Sequence, residues 1–321
     1  MRAAPRPLPS SLLLAGLLLG AATPVRSTET PDEPRPIEAE SLRGEPLRRP
    51  ELPVEFRQRQ EALLAAARAG LDAEPDDPEA AIWVGRRLAY LGRYREAIAV
   101  YTEALERHPQ NAALYRHRGH RYITTRRLEA AIDDLSRAAE LTRGEPDEVE
   151  PDGLPNELGI PTSTLQGNIY YHLGLAHYLR GDFEAALAAY REALAASTTA
   201  DMRVATSYWL YLTLRRMGRK LEALEAIDPI HLDMEIIENH DYHRLVMVYR
   251  GKFDPEALRA ELGDRDDSLQ TATMGYGLGA WYLIEGDRRR ARELFTRVLT
   301  GDQWAAFGYI AAEAEMARGD A

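Results

Sequence analysis

Residues 84–109 have the sequence VGRRLAYLGRYREAIAVYTEALERHP, and this stretch decides the fold. Apolar residues recur at helical spacing on both sides of Gly92, and Pro109 follows the second apolar segment. This pattern predicts two amphipathic helices, because glycine supplies the turn between them and proline is kept to the end. No segment beyond Pro53 alternates as a strand would, so the chain from there onward is predicted to be helical throughout.

The same turn recurs along the chain. Its six copies are Gly92-Arg93-Tyr94, Arg126-Arg127-Leu128, Gly181-Asp182-Phe183, Gly218-Arg219-Lys220, Gly251-Lys252-Phe253 and Gly286-Asp287-Arg288. The copies are 34, 55, 37, 33 and 35 residues apart, and five of them are followed by an alanine, at Ala97, Ala131, Ala186, Ala223 or Ala291. A period near 34 residues predicts an array of similar helical pairs rather than one globular core.

The period, the turn and the packing positions together resemble the tetratricopeptide repeat. Four copies fill the family's positions well, with Val84-Gly85, Leu88, Ala97, Tyr101 and Pro109; Tyr115, Gly119, Tyr122, Ala131 and Leu135; Tyr170, Leu173-Gly174, Ala186 and Tyr190; and Leu278-Gly279, Tyr282, Ala291 and Phe295. The copies at Gly218 and Gly251 are degenerate. The resemblance covers roughly residues 54–318 and implies an all-α, right-handed superhelical solenoid of helix-turn-helix repeats with a C-terminal capping helix.

The composition divides the chain into segments. Arg2 and Arg6, followed by the apolar residues 12–22, predict a signal peptide at 1–22, and the proline-rich residues 23–53 predict a disordered tether. Residues 143–163, which are rich in proline and acidic residues, predict a long loop and are called the acidic insertion below. The other predicted segments are an N-terminal helix at 54–77, two repeats at 78–142, two at 164–227 with the second degenerate, a degenerate helical pair at 228–266, a last repeat at 267–300 and the capping helix at 301–321.

The capping helix is predicted from its one-sided pattern. Trp304, Phe307 and Ala311 fall on one face, which predicts contact with the last repeat. Glu313, Glu315 and Arg318 are expected to lie outside that contact.

Charge and composition exclude several classes of function. The 321 residues carry a net charge of −11, which argues against a protein that coats nucleic acid. The absence of cysteine excludes disulfides and thiolate metal sites, and with lysine only at Lys220 and Lys252 there is no phosphate-binding loop of the Walker type. The leader and the arginine and alanine bias indicate a bacterial protein exported to the periplasm, without a membrane span after cleavage.

A cationic segment stands out against this acidic background, because no acidic residue occurs between Arg107 and Leu128. The segment is either a solvated helix face, or a partner for the acidic insertion, or a surface for an acidic ligand. In the tetratricopeptide family the first helix of each pair lines a concave groove that holds a peptide. The resemblance therefore implies a groove that binds a peptide or protein, expected to be acidic, through Arg86, Tyr90, Arg116, His117, His120, Tyr171, His172, Tyr178, Tyr208, Trp209 and Arg215.

The sequence predicts a non-enzymatic protein-interaction scaffold with no catalytic residues, no cofactor and no metal, since the familiar catalytic motifs are missing. His117 with His120, and His240 with His243, have spacings compatible with metal ligation, but neither pair has a third ligand at a known spacing. One alternative is a metal-dependent or hydrolytic enzyme that uses His117, His172 or His240 with nearby carboxylates. Another is a cell-envelope assembly factor attached through the tether.

Overall fold

A computed structural model describes residues 34–263 and 269–319, so the predicted signal peptide and residues 23–33 of the predicted tether lie outside the described residues. Residues from Pro36 onward form one compact unit. Its elements are strands β1 (Ile37–Glu40) and β2 (Pro46–Arg48) and helices α1 (Val54–Ala73), α2 (Pro78–Tyr90), α3 (Tyr94–Arg107), α4 (Ala112–Thr124), α5 (Leu128–Leu141), α6 (Leu165–Arg180), α7 (Phe183–Ala195), α8 (Ala200–Arg216), α9 (Lys220–Ile227), α10 (His240–Tyr249), α11 (Pro255–Gly263), α12 (Leu269–Ile284), α13 (Arg288–Thr300) and α14 (Phe307–Arg318). The predicted solenoid of helix-turn-helix pairs is confirmed, with a short β-hairpin added at its start.

In three of the four regular repeats the two helices pack closely because a glycine on the first helix faces an aromatic ring on the second, and in the other Gly119 faces Leu135. At Gly174 a Cβ atom would lie 2.7 Å from the ring of Tyr190, and at Gly279 it would lie 2.5 Å from the ring of Phe295. Both distances are too short for any side chain at the glycine position. The alanines predicted beside these rings, Ala186 and Ala291, are fully buried. The sequence pattern therefore identified the packing of the regular repeats correctly.

All six predicted turns adopt the left-handed conformation, with φ between 63° and 90°. Five of them use glycine, which tolerates this conformation without strain. The sixth is Arg126, the one non-glycine residue with positive φ in the described part of the chain. An L-residue with a side chain in this region costs roughly 1–2 kcal/mol. Other contacts of Arg126 must offset that cost.

The prediction of a disordered tether up to residue 53 is wrong for its second half, because β1 and β2 pair as an antiparallel hairpin. Glu38 is 3% exposed and accepts hydrogen bonds from Arg49 at 2.7 Å and from the backbone N–H of Arg95 at 3.1 Å. The prolines do not break the hairpin, since Pro36 precedes β1, Pro46 begins β2 and the next prolines follow it. A buried ion pair and contact with the helical array therefore order a segment whose composition indicates disorder.

Helix α14 is more than a cap on the last repeat. It packs on α12 and α13 as predicted, but it also contacts α6. Glu313 and Glu315, predicted to lie outside the contact, are at most 1% exposed. Glu313 pairs with Arg126 at 2.7 Å, and Glu315 accepts a hydrogen bond from Arg216 of α8 at 2.5 Å. That prediction is wrong because the two carboxylates pair with guanidinium groups from distant repeats. These ion pairs offset the free-energy cost of removing the carboxylates from water.

The two ends of the described array contact each other. The indole of Trp304, just before α14, donates a hydrogen bond to the carbonyl oxygen of Arg48 in β2 at 2.8 Å. The same indole meets the ring of Tyr94 edge-on, with the ring centroids 5.3 Å apart. The C-terminal segment therefore reaches back to the hairpin and to the first helical pair. Over the described residues, the helices are all too short or too polar to cross a membrane.

Candidate functional site

The first helices of successive pairs, α2, α4, α6 and α8, contact one another in sequence order and form one continuous surface. The predicted groove residues lie on these helices. On α2, Arg86 and Tyr90 are half-buried, and the guanidinium of Arg86 lies 4.7 Å from the centre of the Trp83 ring. This stacking fixes the cation near the start of the surface.

On α4, a buried cluster joins the predicted groove to the acidic insertion. Arg116 Nε lies 3.1 Å from Glu150 Oε2, and His117 Nε2 lies 3.5 Å from Glu150 Oε1. The side chains of all three residues are at most 9% exposed. Arg116 also lies 3.0 Å from His117 Nδ1. Because a guanidinium can only donate, Nδ1 accepts that hydrogen bond and the imidazole proton sits on Nε2, facing Glu150.

Three histidines on this surface are held in the neutral form. Burial lowers the pKa of His117 well below its usual range, and the charges of Arg116 and Arg86 lower it further. Burial has the same effect on the pKa of His120 and of His172, again reinforced by neighbouring arginines. Burial also lowers the pKa of Arg116, and the charge of Glu150 opposes this shift. The positive charge of the cluster therefore belongs to the arginines.

The acidic insertion is fastened across α2 and α4. Arg87 donates a hydrogen bond to the carbonyl oxygen of Gly153 at 2.9 Å. A Cβ atom on Gly153 would lie 2.8 Å from Nη2 of Arg86 and would also collide with the ring of Tyr90, so the insertion backbone touches both residues. Of the acidic residues predicted as partners for the cationic segment, Glu150 is the one that pairs with Arg116. The insertion therefore covers the first part of the predicted groove.

Several arginines of the cationic segment pair with acidic residues of the same chain. Besides the pair of Arg116 with Glu150, Arg118 pairs with Asp134 of α5 at 2.7 Å and Arg126 pairs with Glu313 at 2.7 Å. These arginines are mostly buried and bind acids of the same chain. Arg116, Arg118 and Arg126 therefore do not form a solvated helix face, whereas Arg107 and Arg127 at the ends of the segment are exposed.

Three predicted groove residues do not face open space. Tyr178, Tyr208 and Trp209 are at most 1% exposed because α10 and α12 pack over α8. The Tyr178 hydroxyl lies 2.8 Å from that of Tyr276 on α12, and Tyr208 stacks on Tyr249 of α10 with ring centroids 5.9 Å apart. The expectation that these three present a binding face is corrected: they belong to the core.

The last predicted groove residue, Arg215, lies apart from the cluster at Arg116. It pairs with Glu285 at 2.7 Å and donates a hydrogen bond to the hydroxyl of Tyr211 at 2.7 Å. Tyr211 lies on the same helix, and Glu285 directly follows α12.

The middle of the surface is occupied by the beginning of α14. Phe307 lies among the rings of His120, Tyr171 and His172, with centroid distances of 5.2, 6.4 and 5.6 Å. His120 and His172 are themselves 4.4 Å apart. His172 Nδ1 lies 2.6 Å from the carbonyl oxygen of Asn168, which orients its ring. These four rings form what we call the ring cluster. The sequence showed Phe307 as apolar, but no local spacing indicated that it would reach α4 and α6.

A cavity of about 330 Å³ lies beside the ring cluster. Its lining includes polar and aromatic side chains from three parts of the chain: His120, Glu238, Asn239, Asp241, Tyr242 and Phe307. Sequence reasoning missed this site. Glu238 and Asp241 lie beside His240 and His243, the pair that the sequence singled out for its spacing.

The two histidines of that second pair do not line the cavity. His240 is exposed, and His243 Nε2 lies 2.8 Å from the carbonyl oxygen of His231. Among the described residues, no group of three or more His, Asp or Glu side chains is arranged to hold a metal ion.

The sequence matches the tetratricopeptide repeat profile in two regions, residues 85–146 and residues 167–199. No curated protein sequence matches the chain. Among solved structures it is similar to YrrB, described as a TPR protein with an unusual peptide-binding site, at 16% identity and a TM-score of 0.42, over 73% of this chain and 91% of that one. It is also similar to MamA, at 17% identity and a TM-score of 0.42, over 63% of this chain and 99% of that one. A third similar structure is the Cut9–Hcn1 hetero-tetramer of the APC/C, at 15% identity and a TM-score of 0.35, over 83% of this chain and 64% of that one. The profile matches identify residues 85–146 and 167–199 as tetratricopeptide repeats.

Proposed function

We propose that the protein is a non-enzymatic interaction scaffold and that an acidic peptide segment of its partner binds at Arg86, Arg116 and His117. The observation that carries this proposal is the position of Glu150, whose carboxylate already lies against Arg116 and His117. A site that holds one carboxylate of its own chain has the charge and the hydrogen-bond donors to hold a carboxylate of another.

In this proposal the acidic insertion is an internal competitor for the partner. It is covalently joined at its two ends to α5 and α6 of the same array, so its local concentration is far above that of a free ligand. A partner segment binds only by displacing Glu150. The insertion therefore raises the affinity that a partner segment needs in order to bind, and it favours partners with more than one acidic residue.

The insertion itself supplies the probe for a test. A synthetic peptide of residues 145–157, EPDEVEPDGLPNE, is added to a variant of the full chain in which these residues are replaced by a short glycine-serine linker. We expect the peptide to bind this variant, measured by calorimetry, and to bind the unaltered protein much more weakly. The peptide with Glu150→Gln should bind the variant about tenfold more weakly or worse, because it lacks the charge that faces Arg116.

Substitutions in the site complete the experiment. Arg86→Glu and Arg116→Glu together should weaken binding by about 2 kcal/mol or more, as expected for arginines at the centre of an interface. Arg191→Glu on α7 is the control, since its side chain is 56% exposed and pairs with Glu222. Circular dichroism checks that each variant keeps its helices. If the peptide does not bind the linker variant, the insertion does not mark a ligand site.

We also propose that the protein is bacterial and is exported to the periplasm, on the basis of Arg2, Arg6 and the apolar residues 12–22. The mature N-terminus is expected near Thr23. Sequencing the N-terminus of the protein from fractionated cells checks this. An intact Met1 in the cytosolic fraction would contradict export.

A further inference from the structure

The outer side of the acidic insertion carries a concentration of exposed apolar side chains. Ten large apolar side chains are exposed among the described residues, and four of the ten lie between residues 149 and 160. These four are 48–66% exposed: Val149, Leu154, Leu158 and Ile160. Single exposed apolar residues are normal on a protein surface, whereas several in one place are typical of an interaction site.

The inner side of the insertion is polar, which reverses the usual arrangement of a surface loop. Glu150 and Thr162 are buried. The Glu150 carboxylate accepts a hydrogen bond from Asn168 Nδ2 at 3.0 Å. Thr162 Oγ1 donates to Glu238 Oε2 at 2.8 Å, and the Thr162 carbonyl oxygen accepts from Thr199 Oγ1 at 2.6 Å. Polar groups therefore hold the insertion to the rest of the chain, while four large apolar side chains face solvent.

Two of the apolar side chains are carried by a turn that is already ordered. Asn156 Oδ1 accepts hydrogen bonds from the backbone N–H groups of Leu158 and Ile160 at 3.1 and 3.2 Å. Asn156 Nδ2 donates to the carbonyl oxygen of Ile160 at 2.7 Å and to Glu238 Oε1 at 2.9 Å. Because these bonds fix the backbone of the turn, a partner that contacts Leu158 and Ile160 loses little free energy in ordering it.

The same surface is negatively charged. After Arg143, at its start, the insertion contains no lysine, arginine or histidine. Four of its acidic side chains are exposed and form no ion pair within the described part of the chain: Glu145, Asp147, Glu148 and Glu157. Since the protein does not neutralise these charges itself, they attract cationic groups of a partner and repel anionic ones.

We propose that the outer side of the insertion, around Leu154, Leu158 and Ile160, is a docking surface for a basic amphipathic segment of a partner protein. The apolar side of that segment packs on the exposed leucine and isoleucine side chains, and its lysine or arginine side chains pair with the acidic residues of the insertion. This surface is present while Glu150 lies against Arg116. It is therefore distinct from the proposed site for an acidic peptide, which opens only when the insertion is displaced.

Three blocked peptides separate the two parts of this recognition. KLLKKLLKKLLK is apolar and basic, ELLEELLEELLE is apolar and acidic, and KSSKKSSKKSSK is basic without apolar residues. Binding of each fluorescently labelled peptide to the full-length protein is measured by anisotropy, at a concentration at which the free peptide is monomeric. We expect the first peptide to bind at least tenfold more tightly than either of the others, and added salt to weaken it. Equal binding of the acidic or the serine peptide, or no binding of the first, would overturn the proposal.

Variants show where the peptide binds. Replacing Leu154, Leu158 and Ile160 with glutamine should weaken binding of KLLKKLLKKLLK about tenfold or more, because the apolar contact is lost. The matched control makes the same replacement at three residues on and after α9 that are 39–76% exposed: Leu221, Leu224 and Leu232. Circular dichroism checks that both variants keep their helices. A control that loses as much affinity, or a triple variant of the insertion that loses none, contradicts the proposed surface.

The electrostatic part is tested at equal net charge. Glu145→Gln, Glu148→Gln and Glu157→Gln together should weaken binding about threefold and reduce its dependence on salt. The control removes three exposed carboxylates from α3 and α7, through Glu106→Gln, Glu184→Gln and Glu192→Gln. If both variants have the same effect, the peptide is attracted by the acidic protein as a whole and the proposal fails.

Two other occupants of this surface are distinguished with the unaltered protein and the glutamine variant of Leu154, Leu158 and Ile160. A second copy of the chain would appear as dimerisation in sedimentation that the variant loses. A membrane would appear as binding to phosphatidylcholine vesicles that the variant loses. We expect neither, because both would bring unpaired carboxylates together or away from water. Either result would replace the basic partner and refute the proposal.

Discussion

Glu313→Ala is expected to lower the free energy of unfolding by about 3–5 kcal/mol, the range for removing one partner of a buried ion pair. Stability is lost because the charge of Arg126 stays buried after its partner is removed. The side chain of Arg126 is 3% exposed, and without Glu313 its charge is left with the carbonyl oxygens of Thr124 and Trp304 and the rings of Trp304 and Tyr309, none of which carries a negative charge. The left-handed backbone of Arg126, with φ of 63°, also loses the interaction that offsets its strain.

Urea unfolding followed by circular dichroism measures this effect through the midpoint and the slope of the transition. Glu140→Ala is the matched control, since Glu140 also pairs with an arginine but its side chain is 57% exposed. An exposed pair of this kind contributes at most about 1 kcal/mol. If the two variants lose similar stability, the contact between α14 and Arg126 does not hold the array together.

Lowering the pH from 7.5 to 5.5 is expected to destabilise the protein strongly through His117, His120 and His172. Each has a pKa well below its usual range in the folded state, whereas the unfolded chain takes up protons near pH 6.5. The unfolded state therefore binds more protons as the pH falls, and stability is lost. Each histidine contributes up to about 1.4 kcal/mol per pH unit below 6.5 until its own folded pKa is reached.

The contribution of these histidines is isolated by substitution. Replacing all three with glutamine should flatten the dependence of the urea midpoint on pH, whereas His240→Gln, at an exposed position, should leave it unchanged. Burial raises the pKa of Asp134 and Asp152, and their protonation acts in the opposite direction, so the comparison is between variants at each pH. An unchanged slope in the triple variant would show that the imidazoles accept protons in the folded state.

The sequence was sufficient to predict features that depend on contacts between residues close together in the chain. A turn every 33 to 37 residues, apart from the interval that holds the acidic insertion, and glycines opposite rings come from contacts within one helical pair, and both are visible in the spacing. The conformation at Arg126 also follows from the period alone, although arginine is a poor residue for it.

Contacts between distant parts of the chain could not be predicted in this way. Arg126 and Glu313 are 187 residues apart, and no pattern within one helix shows that they meet. Tyr208 and Trp209 have the polar groups expected of a binding face, yet whether later helices cover them depends on the curvature of the whole array. The cavity at Glu238 is formed by several separate segments, so it exists only in the folded chain.

The candidate site lies between these two cases. The acid-free run and the acidic insertion are both visible in composition, and their pairing was one of the alternatives that the sequence allowed. Charge complementarity could not say that Glu150, rather than another acid of the insertion, would reach Arg116. That choice depends on two backbone hydrogen bonds that pair the two ends of the acidic insertion. The N–H of Glu150 donates to the carbonyl oxygen of Ser163, and the N–H of Leu165 donates to that of Glu148.

The contact of Trp304 with Arg48 and Tyr94 has a consequence for how this protein can change in evolution. An open array of repeats can gain or lose a unit by duplication or deletion, because each unit touches only its neighbours. Here one helical pair more or fewer would displace Trp304 from Arg48 and Tyr94. Joining the two ends therefore fixes the number of repeats, and diversification is restricted to the surface and to insertions such as residues 143–163.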